Sequence, residues 1–411
     1  MSIRKSPLLP IFLVVAVDVL GLTIILPLLP FYAEHYGASP AAVGSLITVF
    51  AVCQLIAGPI LGRLSDRFGR RPLLLLSQVG TLIGFLILAY AHQLWLIFLS
   101  RIIDGITAGN LSLAQAYISD VTAPEKRAKA FGIIGISFGM GFLLGPAISG
   151  FLSQYGYQYP VFAAAALSAT SILATYFLLP EPPRITPESK DSKAAQDAAT
   201  PPRKLGIFSW HHYAHYFQNP ELSRLLFQFL CFSLTFSMFI SGFALFSERR
   251  FTYDGIPYGP KQVGYIYAYA GLLGLILQGG LIGRLVQKYG EKSLVVAGFF
   301  AAALGYTLLG FTYKLPMLLL ITVISSFGTG VLRPALTSLI SRVAGPKNQG
   351  SLLGLTQSLA SIAQIICPLI SGFLIERHAL TIWALTAAFA AAVGFGLALS
   401  HHRKMAHAEA R

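Results

Sequence analysis

The chain has 411 residues, 55% of them hydrophobic and 11% charged, with a mean hydropathy of +0.67; this excludes a soluble globular domain and fits a polytopic membrane protein. A formal net charge of +14 would suit a nucleic-acid ligand, but the basic residues lie between apolar runs, which argues against that partner. Cys53, Cys231 and Cys367 sit far apart inside apolar segments, with neither a metal-ligand spacing nor a disulfide framework. No embedded His, Cys or Ser cluster offers an enzyme, and no metal or cofactor is expected.

Met1–Pro7 is short and basic and leads straight into an apolar run. Without a small-residue cleavage site, and with further spans following, that run reads as a helix rather than a removed leader. Membrane-length segments fall near 8–32, 41–61, 72–90, 94–119, 128–153 and 157–179. Six more lie near 222–246, 262–285, 292–312, 316–340, 350–375 and 380–400. Between the two sets, Pro180–Lys204 is rich in Pro, Ser, Asp and Lys and reads as a flexible linker. Trp210–Phe217, with three histidines among aromatics, reads as an interfacial segment in preference to a metal site. Twelve spans put both termini on one side, and most of the 30 Lys and Arg lie there, which places both termini in the cytoplasm.

The stretch Gly62-Arg63-Leu64-Ser65-Asp66-Arg67-Phe68-Gly69-Arg70-Arg71-Pro72 packs four arginines and one acid between the second and third spans. Gly62 and Gly69 would let the backbone turn tightly, and Pro72 suits a first helical turn. Asp66 could accept hydrogen bonds from a helix N-terminus. A topology-setting loop would account for the arginines, but not for the spaced glycines or the single aspartate. Gly62-Arg63-Leu64 with Gly69 recurs as Gly283-Arg284-Leu285 with Gly290. Pro146-Ala-Ile-Ser-Gly150-Phe-Leu recurs as Pro368-Leu-Ile-Ser-Gly372-Phe-Leu at nearly the same offset. One six-helix unit is therefore used twice, with Gln287 standing where the first copy has Asp66.

The G-R-L-S-D-R-F-G-R-R-P stretch resembles the loop between the second and third helices of major facilitator superfamily transporters. Within them it is similar to the drug:proton antiporters that include the tetracycline exporters. The resemblance implies an all-α fold of 12 transmembrane helices in two pseudo-symmetric six-helix bundles, 1–180 and 221–411, joined by a cytoplasmic linker 181–220. It also implies a multi-pass protein of the inner (plasma) membrane that works as a monomer. Its energy source would be the proton gradient, with no cofactor, and its partners protons, the lipid bilayer and an amphipathic small molecule.

Asp18 lies near the middle of the first span, where a carboxylate must be paired, hydrated or protonated, and is a functional candidate by default. Downstream, Leu20-Gly21 with Pro27-Leu28-Leu29-Pro30 resembles the motif ending the first helix of these antiporters, and its prolines would bend that helix. In the fourth span Arg101 and Asp104 share a helix face. The resemblance links the arginine to proton transfer, whereas a static ion pair would explain the spacing equally. In the fifth span Gly135, Gly139, Gly141, Gly145-Pro146 and Gly150 make a close-packing face. Gly141-x3-Gly145-Pro146-x2-Ser149-Gly150 resembles the antiporter signature, with Ser149 where glycine is usual, and implies export.

Candidates for the cavity lining are Gln54, Asn110, Gln115, Phe236, Tyr265, Tyr269, Gln278, Arg333 and Gln357, with Gln228 and Gln364 beside them. Arg333 would pair with Asp104 or with an anionic substrate group, and the aromatics would suit a flat apolar ligand. Tetracycline exporters typically carry an embedded His and Asp in the eighth and ninth helices; Tyr269 and Gln278 stand here instead. The function implied is proton-coupled export of amphipathic compounds. A metabolite or sugar exporter of the same fold is the alternative, and a receptor or scaffold without transport a further one.

Overall fold

A computed structural model describes residues 8–122, 127–181, 218–344 and 349–409. The expected N-terminal basic stretch, nearly all of the 181–220 linker and the Trp210–Phe217 segment lie outside the described residues. α1 spans Leu8–His35, α2 Pro40–Phe68, α3 Arg70–Ala89, α4 Leu94–Ile106, α5 Asn110–Val121, α6 Arg127–Leu152 and α7 Gln158–Leu178. The second half contains α8 Pro220–Arg250, α9 Pro260–Ile276, α10 Ile282–Gly310, α11 Leu315–Ala344, α12 Gln349–Glu376 and α13 Leu380–Glu409. A π-helical turn, Leu277–Leu281, joins α9 to α10. A two-stranded hairpin, Thr252–Tyr253 with Ile256–Pro257, follows α8 and turns through Asp254 and Gly255, both at positive φ.

Local chemistry sets these ends. Ser39 caps α2 by accepting from the Ala42 amide, with Pro40 in the first position. Asn219 caps α8 in the same way, accepting from Glu221 and Leu222, while Arg249 and Arg250 sit in its last turn. Gly69, at φ 108°, is where α2 stops and α3 begins. Gly62, expected to turn the chain, instead lies inside α2, so one glycine makes the bend.

Among the described residues, 11 stretches are long and apolar enough to cross a bilayer. One of them, Pro260–Gly310, has 51 residues, or about 75 Å of helix against a bilayer core of about 30 Å. It breaks at Gly290 (φ 75°, ψ 157°), consistent with two crossings there and twelve in all. The expected fourth span is also discontinuous, since α4 ends at Ile106 and α5 begins at Asn110. Ser77 on α3 repairs that break: its hydroxyl donates to the Thr107 carbonyl and accepts from the Gly109 amide at 3.0 Å. Irregular backbone at membrane depth is tolerated where such partners exist.

In the first bundle α1 packs on α6 and α7, and α3 on α4 and α7; in the second, α10 packs on α11 and α13, and α8 on α12 and α13. The two bundles meet along α2 with α12 and α6 with α9. Small residues bring those backbones together. A Cβ on Gly44 would sit 2.2 Å from the Pro368 carbonyl oxygen, and one on Gly372 2.4 Å from that of Pro40. A Cβ on Gly264 would lie 2.5 Å from the Pro146 carbonyl oxygen. These contacts gather at the end of the molecule that carries the α1–α2 turn. There Glu34 pairs with Arg249 across the bundles at 2.6 Å. The Glu376 carboxylate accepts from the Ala41 amide at 3.1 Å and from the Ser39 hydroxyl at 3.2 Å.

At the opposite end, Arg63, Asp66, Arg67 and Phe68 of α2 are exposed, as are Gln278–Leu281 and Arg284 to its other side. The bundles thus close on each other at the α1–α2 turn, while these residues at the Gly69 end are exposed.

Candidate functional site

Three ionisable groups gather inside the first bundle. Arg101 and Asp104, one helical turn apart on α4, pair at 3.3 Å with side chains 4% and 6% exposed. Thr81 of α3 hydrogen-bonds the Asp104 carboxyl, and the Arg101 guanidinium lies over the Phe50 ring at 5.9 Å. The pair does not saturate the guanidinium, because Arg101 Nη2 is buried without a partner. Close approach of α3 and α4 holds the geometry: a Cβ on Gly84 would come within 3.0 Å of Asp104 Cβ.

Asp18 on α1 is half-buried, with Ser171 of α7 and Gln78 of α3 in hydrogen-bonding reach of its carboxyl and Asp104 acting on it electrostatically. The three expected residues are therefore brought together, and Asp104 takes Arg101 rather than Arg333. Arg333 is exposed and makes no ion pair among the described residues.

The cavity candidates divide by burial. Gln115, Tyr265, Gln278, Arg333, Gln357 and Gln364 are exposed, and Gln54, Asn110 and Tyr269 are half-buried. Charged or amide groups at membrane depth face water or protein rather than lipid, which directs Gln278, Arg333 and Gln357 toward the open space between bundles. Gln278 lies in the π turn, a distortion that re-aims side chains and recurs at functional sites. Asn110 is the first residue of α5, its Oδ1 buried without a partner. Phe236 is half-buried; it stacks on Phe232 at 6.0 Å and packs against the core. Gln228 is also buried.

The glycines of α6 serve two neighbours at once. A Cβ on Gly141 would strike Val19 and one on Gly145 would strike Thr23, both on α1. Thr23 donates its hydroxyl to the Gly141 carbonyl at 2.8 Å. Further along, Gly150 closes on Lys261 and Gly264 of α9. Pro146 lets its helix bend between these two contacts.

At the Gly69 end Arg70 is the hub. It pairs with Asp66 at 2.6 Å and Asp120 of α5 at 2.7 Å, and donates to the Ser65 hydroxyl at 2.6 Å. Asp66 is therefore an arginine partner and not the expected helix cap. That place belongs to Glu181, whose carboxylate accepts from the Arg70 amide at 2.8 Å and the Arg71 amide at 3.2 Å. Arg71 donates to the Tyr176 carbonyl, and exposed Arg67 lies over Phe68. The second bundle has the same joint with its charges exchanged: Glu291, next to Gly290, pairs with Arg342 at 2.6 Å. Gln78, Ser171, Asp120, Glu181, Glu34 and Arg249 join the site although no motif marks them. For Gln78 the available signal is an amide inside the apolar run Leu73–Tyr90.

Two parallel helical bundles around a cavity, with paired Gly-Arg-Leu joints at one end and an embedded Asp–Arg–Asp set, define a membrane carrier. The chain belongs to the Major Facilitator Superfamily, whose model matches residues 11–284 and 279–405. It is 32% identical over 373 residues to the class B tetracycline resistance protein of Escherichia coli, covering 89% of this chain and 87% of that one. It is 27% identical over 391 residues to multidrug resistance protein 2 of Bacillus subtilis (strain 168), covering 92% and 91%. Its fold superposes on the human organic anion transporter MFSD10 (TETRAN) with a TM-score of 0.69 at 23% identity, covering 97% and 100%.

Proposed function

We propose that this chain is a proton-coupled antiporter that exports amphipathic small molecules by alternating access, from the cytoplasm across the inner membrane. The observation that carries this reading is the buried Arg101–Asp104 pair within electrostatic reach of Asp18. An uncompensated charge at that depth is costly, so a proton gained or lost by either acid must be answered by rearrangement around Arg101. The tetracycline and multidrug resistance proteins to which the chain is similar support the substrate class.

With the basic loops in the cytoplasm, the Gly69 end faces inward and substrate enters past Gln278, Arg333 and Gln357. A proton from outside loads Asp18 or Asp104, changes the Arg101 pairing and drives the cycle that discharges substrate outward. When the inner end closes, Asp66, Arg70 and Arg71 latch it. The energy source is the proton gradient with no cofactor, the working unit a monomer, both termini cytoplasmic, and no covalent chemistry is performed on the substrate.

The test uses inside-out vesicles with an imposed proton gradient, read by dye quenching as amphiphiles are added. Wild-type vesicles should lose the gradient on adding a substrate, and Asp18→Asn vesicles should keep it. If no amphiphile in a broad set dissipates the gradient while one defined metabolite does, the protein is a metabolite carrier instead.

A further inference from the structure

The fully buried amide of Gln78 is half satisfied. Its Nε2 donates to Ser171 Oγ at 2.7 Å, while its Oε1 is buried with no donor. An orphaned buried acceptor forfeits the hydrogen bond it had to water, so the position calls for a hydrogen. Nearby hydroxyls do not supply it: Ser168 donates to the Gln78 main-chain carbonyl at 3.4 Å and Ser171 donates to the Val14 carbonyl at 3.4 Å. The remaining group in reach of both side chains is the Asp18 carboxyl.

We infer that Gln78 and Ser171 are the positioning pair that registers whether Asp18 carries its proton. When a proton from water forms the Asp18 O–H bond, the carboxyl becomes a donor and Gln78 Oε1 accepts from it. Nε2 stays on Ser171, and the Ser171 hydroxyl stays on Val14. When the proton leaves, the carboxylate is acceptor-only. The amide then turns over to donate through Nε2, and the Ser171 hydroxyl swings from Val14 to the carboxylate. In the structure Nε2 is on Ser171 and Oε1 is open. Because Ser171 is on α7 and Val14 on α1, the reversal changes a contact between two helices.

Other ionisable groups around Asp18 do not substitute for the pair. Asp104 of α4 acts on it through space and is held by Arg101. Residues 135–152 of α6 include no acid, base or histidine. On the other neighbours of α1, the ionisable groups are Cys53, Arg63, Asp66 and Arg67 of α2, Tyr117 and Asp120 of α5, Tyr159 and Tyr176 of α7, Glu221, Arg224, Cys231, Glu248, Arg249 and Arg250 of α8, and Lys261, Tyr265, Tyr267 and Tyr269 of α9. None of these donates a hydrogen bond to Asp18 in the structure.

The inference rests on Asp18 as the proton site but not on any transported compound. The experiment is pH-difference infrared spectroscopy on the full chain in lipid bilayers, the Asp18 carboxyl band being assigned by its loss in Asp18→Asn. Gln78→Met, of similar size but without hydrogen-bonding groups, should shift that band and displace the midpoint of its titration. Ser171→Ala should do both to a smaller degree, while Gln154→Leu at an exposed amide should leave the spectrum as in wild type. An unaltered Asp18 band and midpoint in Gln78→Met would overturn the inference, as would a wild-type protein with no titrating Asp18 band. If Gln78→Met does not fold, Ser171→Ala decides by the same two readings. A shifted band in a protein that moves no compound would sustain the inference and remove the antiport reading.

Discussion

Burial makes the Arg101–Asp104 pair a point of high sensitivity. Removing one partner of such a pair leaves the other charge uncompensated and typically costs about 3–5 kcal/mol. Arg101→Ala and Asp104→Ala should each lower unfolding stability in detergent by that order, and the double variant by clearly less than their sum. Strict additivity in that cycle would mean the two side chains do not act as a pair. The pair was legible from residue spacing because three positions on a helix place side chains on one face. The partners of Asp18 were not legible, because Gln78 and Ser171 are separated by most of the first bundle in sequence and meet only through packing of α3 on α7.

Helix joints and helix faces follow simpler rules, and here the chain was more readable. Gly69 turns as the motif implied, while Gly62 does not, because a glycine flanked by good helix formers is carried along by the ladder of α2. The α4–α5 break was invisible in hydropathy, since its repair depends on Ser77 of another helix. Close packing makes its own forecast. Gly44 meets the Pro368 backbone, which cannot step aside as a flexible side chain would. Gly44→Val should therefore open the end that carries the α1–α2 turn. Thiol labelling of Thr48→Cys, whose native hydroxyl is bonded to the Ile365 carbonyl at 2.9 Å, should accelerate from the outer side. Equal labelling rates with and without the valine would show that this contact does not hold the end closed.

For the whole molecule, the question is what the two charged joints do when the cavity changes sides. In this structure Arg70 is held within its own bundle by Asp66 and Asp120, and Asp66 keeps a side chain 62% exposed. Asp66→Asn should insert normally yet slow turnover several-fold in vesicle flux, because the latch at that end loses its acid. Wild-type flux in that variant would sink the latch. The exchanged polarity of the second joint, Glu291 with Arg342, means the two bundles present opposite charges at corresponding places, a difference that charge counts alone do not expose.

The order of residues settled the membrane class, the repeat and the helix-bearing segments, since hydropathy and glycine placement act locally and need no partner. It also located Asp18, Arg101 and Asp104, because charge inside an apolar run is conspicuous whatever surrounds it. Tertiary structure decided that Glu181 rather than Asp66 caps α3, that Gln78 and Ser171 stand beside Asp18, and at which end the bundles close on each other. Each of these depends on distances between helices remote in sequence, where a shift of a few ångströms exchanges one hydrogen-bond partner for another.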